Sequence, residues 1–499
     1  MRNKVLILLL ILLALISISA VSASDNQTAL EDSGEINDVS DDVSVNEGDV
    51  AVRNDSQITV STTKGYDNVA TKFMFTLTSN NQTLSNCSIK INLNGVDYSK
   101  RTNDKGNAYL TVQLAKGTYN LSYSYAGDNN TAPCAVLDKV TIYTPVKTVI
   151  QQADKDINYR QGLKSVFIVR LLKSNGACVK NQNVTFKVNG KTYTNKTDSK
   201  GYAQIFLSLK KGTYTVKYSF SSNAPYLASS GSCKITVKSA MPKGNGYWMW
   251  ASGMKSTNLK TLKDKGTKVI FLNSYAISAY GRSAVQSWIA KANSYGIKVH
   301  IWMQVCYDGK WIRPIRGDGS IDYGFLKKKV NQAVSYAKIK GVAGVHFDYV
   351  RFGGTAHLYK NSNNAINYFV KKACVEVRKV NPNCVMSAAI MPEPDMMDYY
   401  YGQDIPTMTK YLDSIVIMAY KGNYEKDASW IGDVTRTFVS QSNGAQVWTG
   451  LQAYQSDSNV VRLAHSELLN DAKVAVSAGA KGVVLFRIGV TNLLNFAKV

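Results

Sequence analysis

The sequence predicts a multidomain chain: two all-β sandwiches followed by a C-terminal (β/α)8 barrel. Three observations carry this. Two stretches repeat at an offset of 95 residues. Composition shifts at 239–246, and all seven tryptophans and all four histidines lie beyond that point. From there strand-like runs alternate with helical patterns, eight strands in about 255 residues, which is the length and rhythm of such a barrel.

The chain has 499 residues and is 45% hydrophobic, enough for about three domains. It opens with Arg2 and Lys4, an apolar run from Val5 to Ile18, and Val21-Ser22-Ala23. That pattern is expected to be a secretory signal peptide over 1–23. An uncleaved anchor stays open, although the apolar run is short for a bilayer. No later segment has the apolar length of a membrane span. Residues 24–55 hold ten acidic side chains against Arg53 alone. Such a segment repels itself, and 24–56 is expected to be a disordered spacer.

The repeat comes next. NGVDYSKRTNDKGNAYL (94–110) matches NGKTYTNKTDSKGYAQI (189–205), and GTYNLSYSY (117–125) matches GTYTVKYSF (212–220). Alternating runs such as KFMFTL and VTFKV are broken by Asn-Gly, Asp-Lys-Gly and Lys-Gly-Thr-Tyr. Period-two alternation cut at short intervals by turn residues reads as an antiparallel sandwich of about 90 residues. The two units are placed at 57–145 and 146–240. They resemble the immunoglobulin-like modules strung together in adhesin-like surface proteins of methanogenic archaea, over roughly 57–238. With sequons at Asn81, Asn120, Asn183 and Asn195, and no catalytic constellation, they read as spacers or wall-contacting arms. Export permits disulfides, so Cys87–Cys134, Cys178–Cys233 and Cys374–Cys384 are possible pairs.

The barrel is placed at 241–499, with strands at 246–251, 268–275, 298–305, 344–350, 385–391, 414–420, 446–454 and 482–489. A doubly wound open sheet is the alternative, but the turn after the first strand, Trp250-Ala251-Ser252-Gly253, lacks a glycine-rich phosphate loop. In a barrel the active site forms at the C-terminal strand ends. That rule nominates Trp250, Asn273, Trp302, Gln304, Asp308, Asp348, Arg351, Glu393, Tyr420, Gln452, Tyr454 and Arg487. Aromatic faces stack on sugar rings, while amides, guanidinium groups and carboxylates bind hydroxyls. Asp348 and Glu393 lie on adjacent strands, about 4.8 Å apart, so they form a candidate carboxylate pair for glycoside hydrolysis. Retaining and inverting chemistry both stay open. A cation at Arg351 would keep Asp348 ionised, as suits a nucleophile or charge stabiliser. An apolar setting would suit Glu393 as proton donor. His300 and His346 sit early in their strands and are expected to be packed. Cys306 with His300 is the weak basis of a peptidase alternative. No metal site and no cofactor are expected.

Residues 245–499 resemble glycoside-hydrolase-like barrels whose fourth strand reads Phe-Asp-Tyr-[Ile/Val]-Arg-[Phe/Tyr], here Phe347 to Phe352. The resemblance implies polysaccharide cleavage with Asp348 as a leading catalytic residue. A looser likeness is to family-18 chitinases, through Met418-Ala419-Tyr420. Their strand-4 general-acid glutamate falls here on Val350, which argues against that mechanism unchanged. The net charge of +24 in an exported chain points to an anionic envelope or acidic polymer rather than nucleic acid. The function expected is an exported, secreted or cell-surface glycoside hydrolase acting on an envelope or extracellular polysaccharide. The alternative is a non-catalytic adhesin whose barrel binds glycans.

Overall fold

The computed structural model describes residues 53–499. The expected signal peptide and the spacer up to residue 52 lie outside the described residues. Order begins sooner than the expected boundary: a strand runs Ser56–Val60, and Asn54 bridges Thr131.

The first repeat builds two sheets around one apolar cluster that includes Phe73, Phe75, Ile89, Leu121 and Val140. The second repeat does the same around Phe167, Val169, Phe186 and Val216. The turn residues explain the shared path. Asn94 and Gly95, and Asn189 and Gly190, all have positive φ, the conformation a two-residue hairpin turn demands. These turns join Ser88–Leu93 to Val96–Arg101, and Asn183–Val188 to Lys191–Lys196. The seven cysteines are free thiols, so none of the three possible pairs is joined.

The C-terminal unit is a closed parallel barrel of eight strands: β1 (Gly246–Met249), β2 (Val269–Asn273), β3 (Lys298–Gln304), β4 (Gly344–Asp348), β5 (Val385–Ile390), β6 (Ser414–Ala419), β7 (Gln446–Gln452) and β8 (Val483–Phe486). All eight expected strands are present, with trimmed ends. Helices α1 (Leu259–Asp264), α2 (Arg282–Ser294), α3 (Tyr323–Ala337), α4 (Ser362–Val380), α5 (Ala428–Gln441) and α6 (His465–Ser477) cover the outside. In α4, Ala365, Ile366, Phe369, Val370, Ala373 and Val377 recur at spacings of three and four and are all buried. Two connections lack a full covering helix. After β5 come only a π-helical turn, Met397–Tyr401, and a single turn at Ile405–Met408. After β8 there is only a short turn at Phe496–Lys498. Among the described residues, no helix is long and apolar enough to cross a membrane.

The second repeat meets the barrel's N-terminal end. Asp413, just before β6, is fully buried and pairs with Arg160 of the repeat at 2.7 Å and Arg378 of α4 at 3.0 Å. Asn158 donates to the same carboxylate at 2.8 Å, as does the Met386 amide at 2.9 Å.

Candidate active site

β4 follows the period of a strand. Val345 and Phe347 point outward to the helical layer, where Phe347 meets Phe369 edge-on at 5.0 Å. His346 and Asp348 point the other way. His346 packs flat on Phe271 at 3.9 Å, accepts from the Trp248 indole at 3.1 Å and bonds Ser387 at 2.9 Å. Burial holds its imidazole far below the usual histidine range, and holds His300 down to about 3. Burial thus keeps both imidazoles uncharged.

One level up, Asp348 ends the strand at the barrel mouth. The next residue, Tyr349, has φ 50°, a left-handed conformation costly for a bulky side chain and common where a site is held under strain. That turn lets the Tyr349 amide donate to Asp348 Oδ1 at 2.7 Å. The Trp302 indole donates to Oδ2 at 2.9 Å. The turn also ends the strand, so Arg351 lines the mouth with Asp348 instead of facing away from it. The guanidinium lies over Trp311 at 4.7 Å, Tyr349 at 5.4 Å and Tyr401 at 5.6 Å. Its Nε is buried without a hydrogen-bond partner.

The mouth encloses a hollow of about 310 Å³. Six of the twelve nominated residues line it: Trp250, Trp302, Gln304, Asp348, Arg351 and Tyr420. Trp250 and Trp302 lie 4.8 Å apart, and Tyr420 lies 5.6 Å from Phe486. The other six lie outside the wall. Gln452 is tied to Asn423 at 3.0 Å, Tyr454 to Asp457 at 2.7 Å, and Arg487 covers Trp250 at 5.6 Å. These three brace residues that do line the hollow. Asn273 accepts from the Tyr275 amide at 3.0 Å and serves its own turn. Asp308 is exposed in the turn before Lys310.

Glu393 is also displaced from its expected role. Its Oε1 accepts from Tyr401 at 3.0 Å and Tyr424 at 2.7 Å, while Oε2 is buried without a partner. Two phenols replace the apolar setting expected of it, and Tyr424, not Glu393, reaches the wall. The acid that shares the hollow with Asp348 is Asp457. It sits between the short strands Tyr454–Ser456 and Asn459–Arg462, a ribbon beyond β7. Tyr454 donates to its Oδ1 at 2.7 Å and Asn423 to its Oδ2 at 2.7 Å.

The electrostatics reverse another expectation. The carboxyl of Asp348 is held above the usual aspartate range, because burial outweighs the lowering by the Tyr349 amide, Arg351 and Trp302. The Arg351 cation lowers the pKa as expected, but burial has the larger effect. Tyr420 is raised too, first by burial and then by Asp348. Cys306 is pushed up to about 12 by burial. With its pKa depressed to about 3, His300 is too weak a base to take that proton, so the peptidase alternative has no activated nucleophile. Among the described residues, no group of three or more His, Cys, Asp or Glu side chains could hold a metal ion.

No family model matches this chain. No curated protein matches it. Several solved structures are similar to parts of it. A class V chitinase from Pseudomonas fluorescens is 14% identical over 51% of this chain and 98% of its own, with a TM-score of 0.40. The spore cortex-lytic enzyme SleL of Bacillus cereus is 10% identical over 53% and 76%, with a TM-score of 0.39. An endo-1,4-β-D-mannanase from Thermotoga petrophila is 13% identical over 49% and 88%, with a TM-score of 0.37.

Proposed function

We propose that this chain is an exported, secreted or cell-surface glycoside hydrolase that cleaves an envelope or other extracellular polysaccharide. The observation that carries the reading is Asp348: a carboxyl of raised pKa in an aromatic-lined hollow that also holds Asp457. A carboxyl whose pKa is raised holds its proton to higher pH and is suited to donate it to the leaving glycosidic oxygen. Asp457 is the second acid, serving as nucleophile or as base toward water. Trp250, Trp302 and Tyr420 stack on sugar rings, and Arg351 donates to hydroxyls. Glu393 is a positioning residue that holds Tyr424 and Tyr401.

The two repeats carry the barrel as immunoglobulin-like spacers. In support, Tyr119 donates to the Ala115 carbonyl at 2.9 Å and Tyr214 to that of Lys210 at 3.1 Å. Each is a tyrosine bonding back four residues, the corner found in such folds.

One observation favours a binding-only barrel: both oxygens of Asp348 already accept hydrogen bonds. Reducing-end release from purified envelope polysaccharides separates the two readings. Hydrolysis predicts release by the full chain and its loss in Asp348→Asn and Asp457→Asn. Glycan binding without release supports the adhesin instead.

A further inference from the structure

The opposite end of the barrel holds a second cavity, of about 520 Å³, within the size range of small-molecule sites. It lies among the starts of β2 to β5, beneath the segment that joins the second repeat to the barrel. Lys268 and Lys298, at the starts of β2 and β3, and Lys243 of the joining segment stand in its wall with Arg160. None of the lining residues is acidic. Arg160 is spent on Asp413. Among the described residues, the three lysines have no ion-pair partner.

The inner wall adds polar groups that want a ligand. His300 is 3% exposed, and its Nδ1 has no hydrogen-bond partner. Asn293 donates from Nδ2 to the Gly341 carbonyl at 2.9 Å, which leaves Oδ1 buried and unpartnered. Buried polar atoms are rarely left this way, and here the two residues that carry them line one cavity together with Trp448.

We infer that this cavity binds an anionic sugar. The negative group rests on Lys243, Lys268 and Lys298, the ring lies against Trp448, and its hydroxyls meet Asn293 Oδ1 and His300. The basic charge of the chain thereby gains a specific recognition site at the end of the barrel away from Asp348.

Calorimetric titration of the full chain tests this, with trigalacturonate, glucose 6-phosphate and inorganic sulfate as probes. At least one of the two sugars should bind, and which one does identifies the anion as carboxylate or phosphate. The double variant Lys268→Glu/Lys298→Glu, changed only at exposed positions, should weaken that binding at least tenfold. Asn293→Leu should weaken it as well, and Asp348→Asn should leave it unchanged. The proposal is overturned if neither sugar binds, if sulfate binds as tightly as the sugar, if the lysine variant retains full affinity, or if Asp348→Asn abolishes binding.

Discussion

Asp348 is 8% exposed, and its hydrogen bonds do not repay the loss of water, so its folded-state pKa rises above the unfolded value. The linkage has a definite sign. Below the unfolded pKa the group is protonated in both states and costs nothing; as pH rises through the folded pKa, the native state must carry a buried charge and loses stability. Asp348→Asn should therefore melt higher than the parent at pH 7. Calorimetric scans should show that gain vanish toward pH 3. The same substitution removes the proton donor, and activity should fall on the order of 10²–10⁴-fold. At this scale the sequence is readable where a strand's period fixes direction. Val345 and Phe347 outward put Asp348 inward, and strand ends place Trp302 and Tyr420. It is not readable where a loop decides: Asp457 lies in the polar run Gln455–Asn459, and only the ribbon's fold-back brings it over the mouth. Nor does sequence weigh burial against a neighbouring charge, which is why Arg351 misleads about Asp348.

Turns and joints govern the elements. Gly106 and Gly201 hold matching places in the repeats with φ of 68° and 80°, and an added Cβ would meet the carbonyls of Leu77 at 2.8 Å and Leu171 at 2.6 Å. Gly106→Ala and Gly201→Ala should each cost about 1–3 kcal/mol, measured by urea unfolding, with similar losses in the two repeats. The joint between second repeat and barrel rests on Asp413, whose carboxyl is held well below the usual range: burial alone would raise it, but Arg378 and Arg160 prevail. Its contribution is present above the unfolded aspartate pKa and is lost as pH falls through the depressed folded value. Asp413→Ala leaves two guanidinium groups unpaired and should cost about 3–5 kcal/mol. The calorimetric trace should then separate the melting of the repeat from that of the barrel. Elements are legible through periodicity: all eight barrel strands stand out as apolar runs between helical patterns. The missing helices after β5 and β8 are not, because neither SAAIMPEP nor the closing residues carry a period strong enough to mark a helix or its loss. In sequence Asp413 looks like an ordinary loop residue, since its partners Arg160 and Arg378 are 253 and 35 positions away.

Across the whole molecule, two β-rich repeats stand ahead of a barrel whose ends have opposite character. The mouth is aromatic and holds Asp348 and Asp457; the cavity at the base is lined by lysines and no acid. The central claim is that Asp348 gives a proton to a glycosidic oxygen. The measurement that meets it directly is reducing-end release from envelope polysaccharide across pH, by the full chain and by Asp348→Asn. Release by the parent should decline on the alkaline side as Asp348 loses its proton, and release by the variant should be lower at every pH, on the order of 10²–10⁴-fold at the parent's optimum. Equal release by both proteins, or a parent that binds the polymer without cutting it, would contradict the claim.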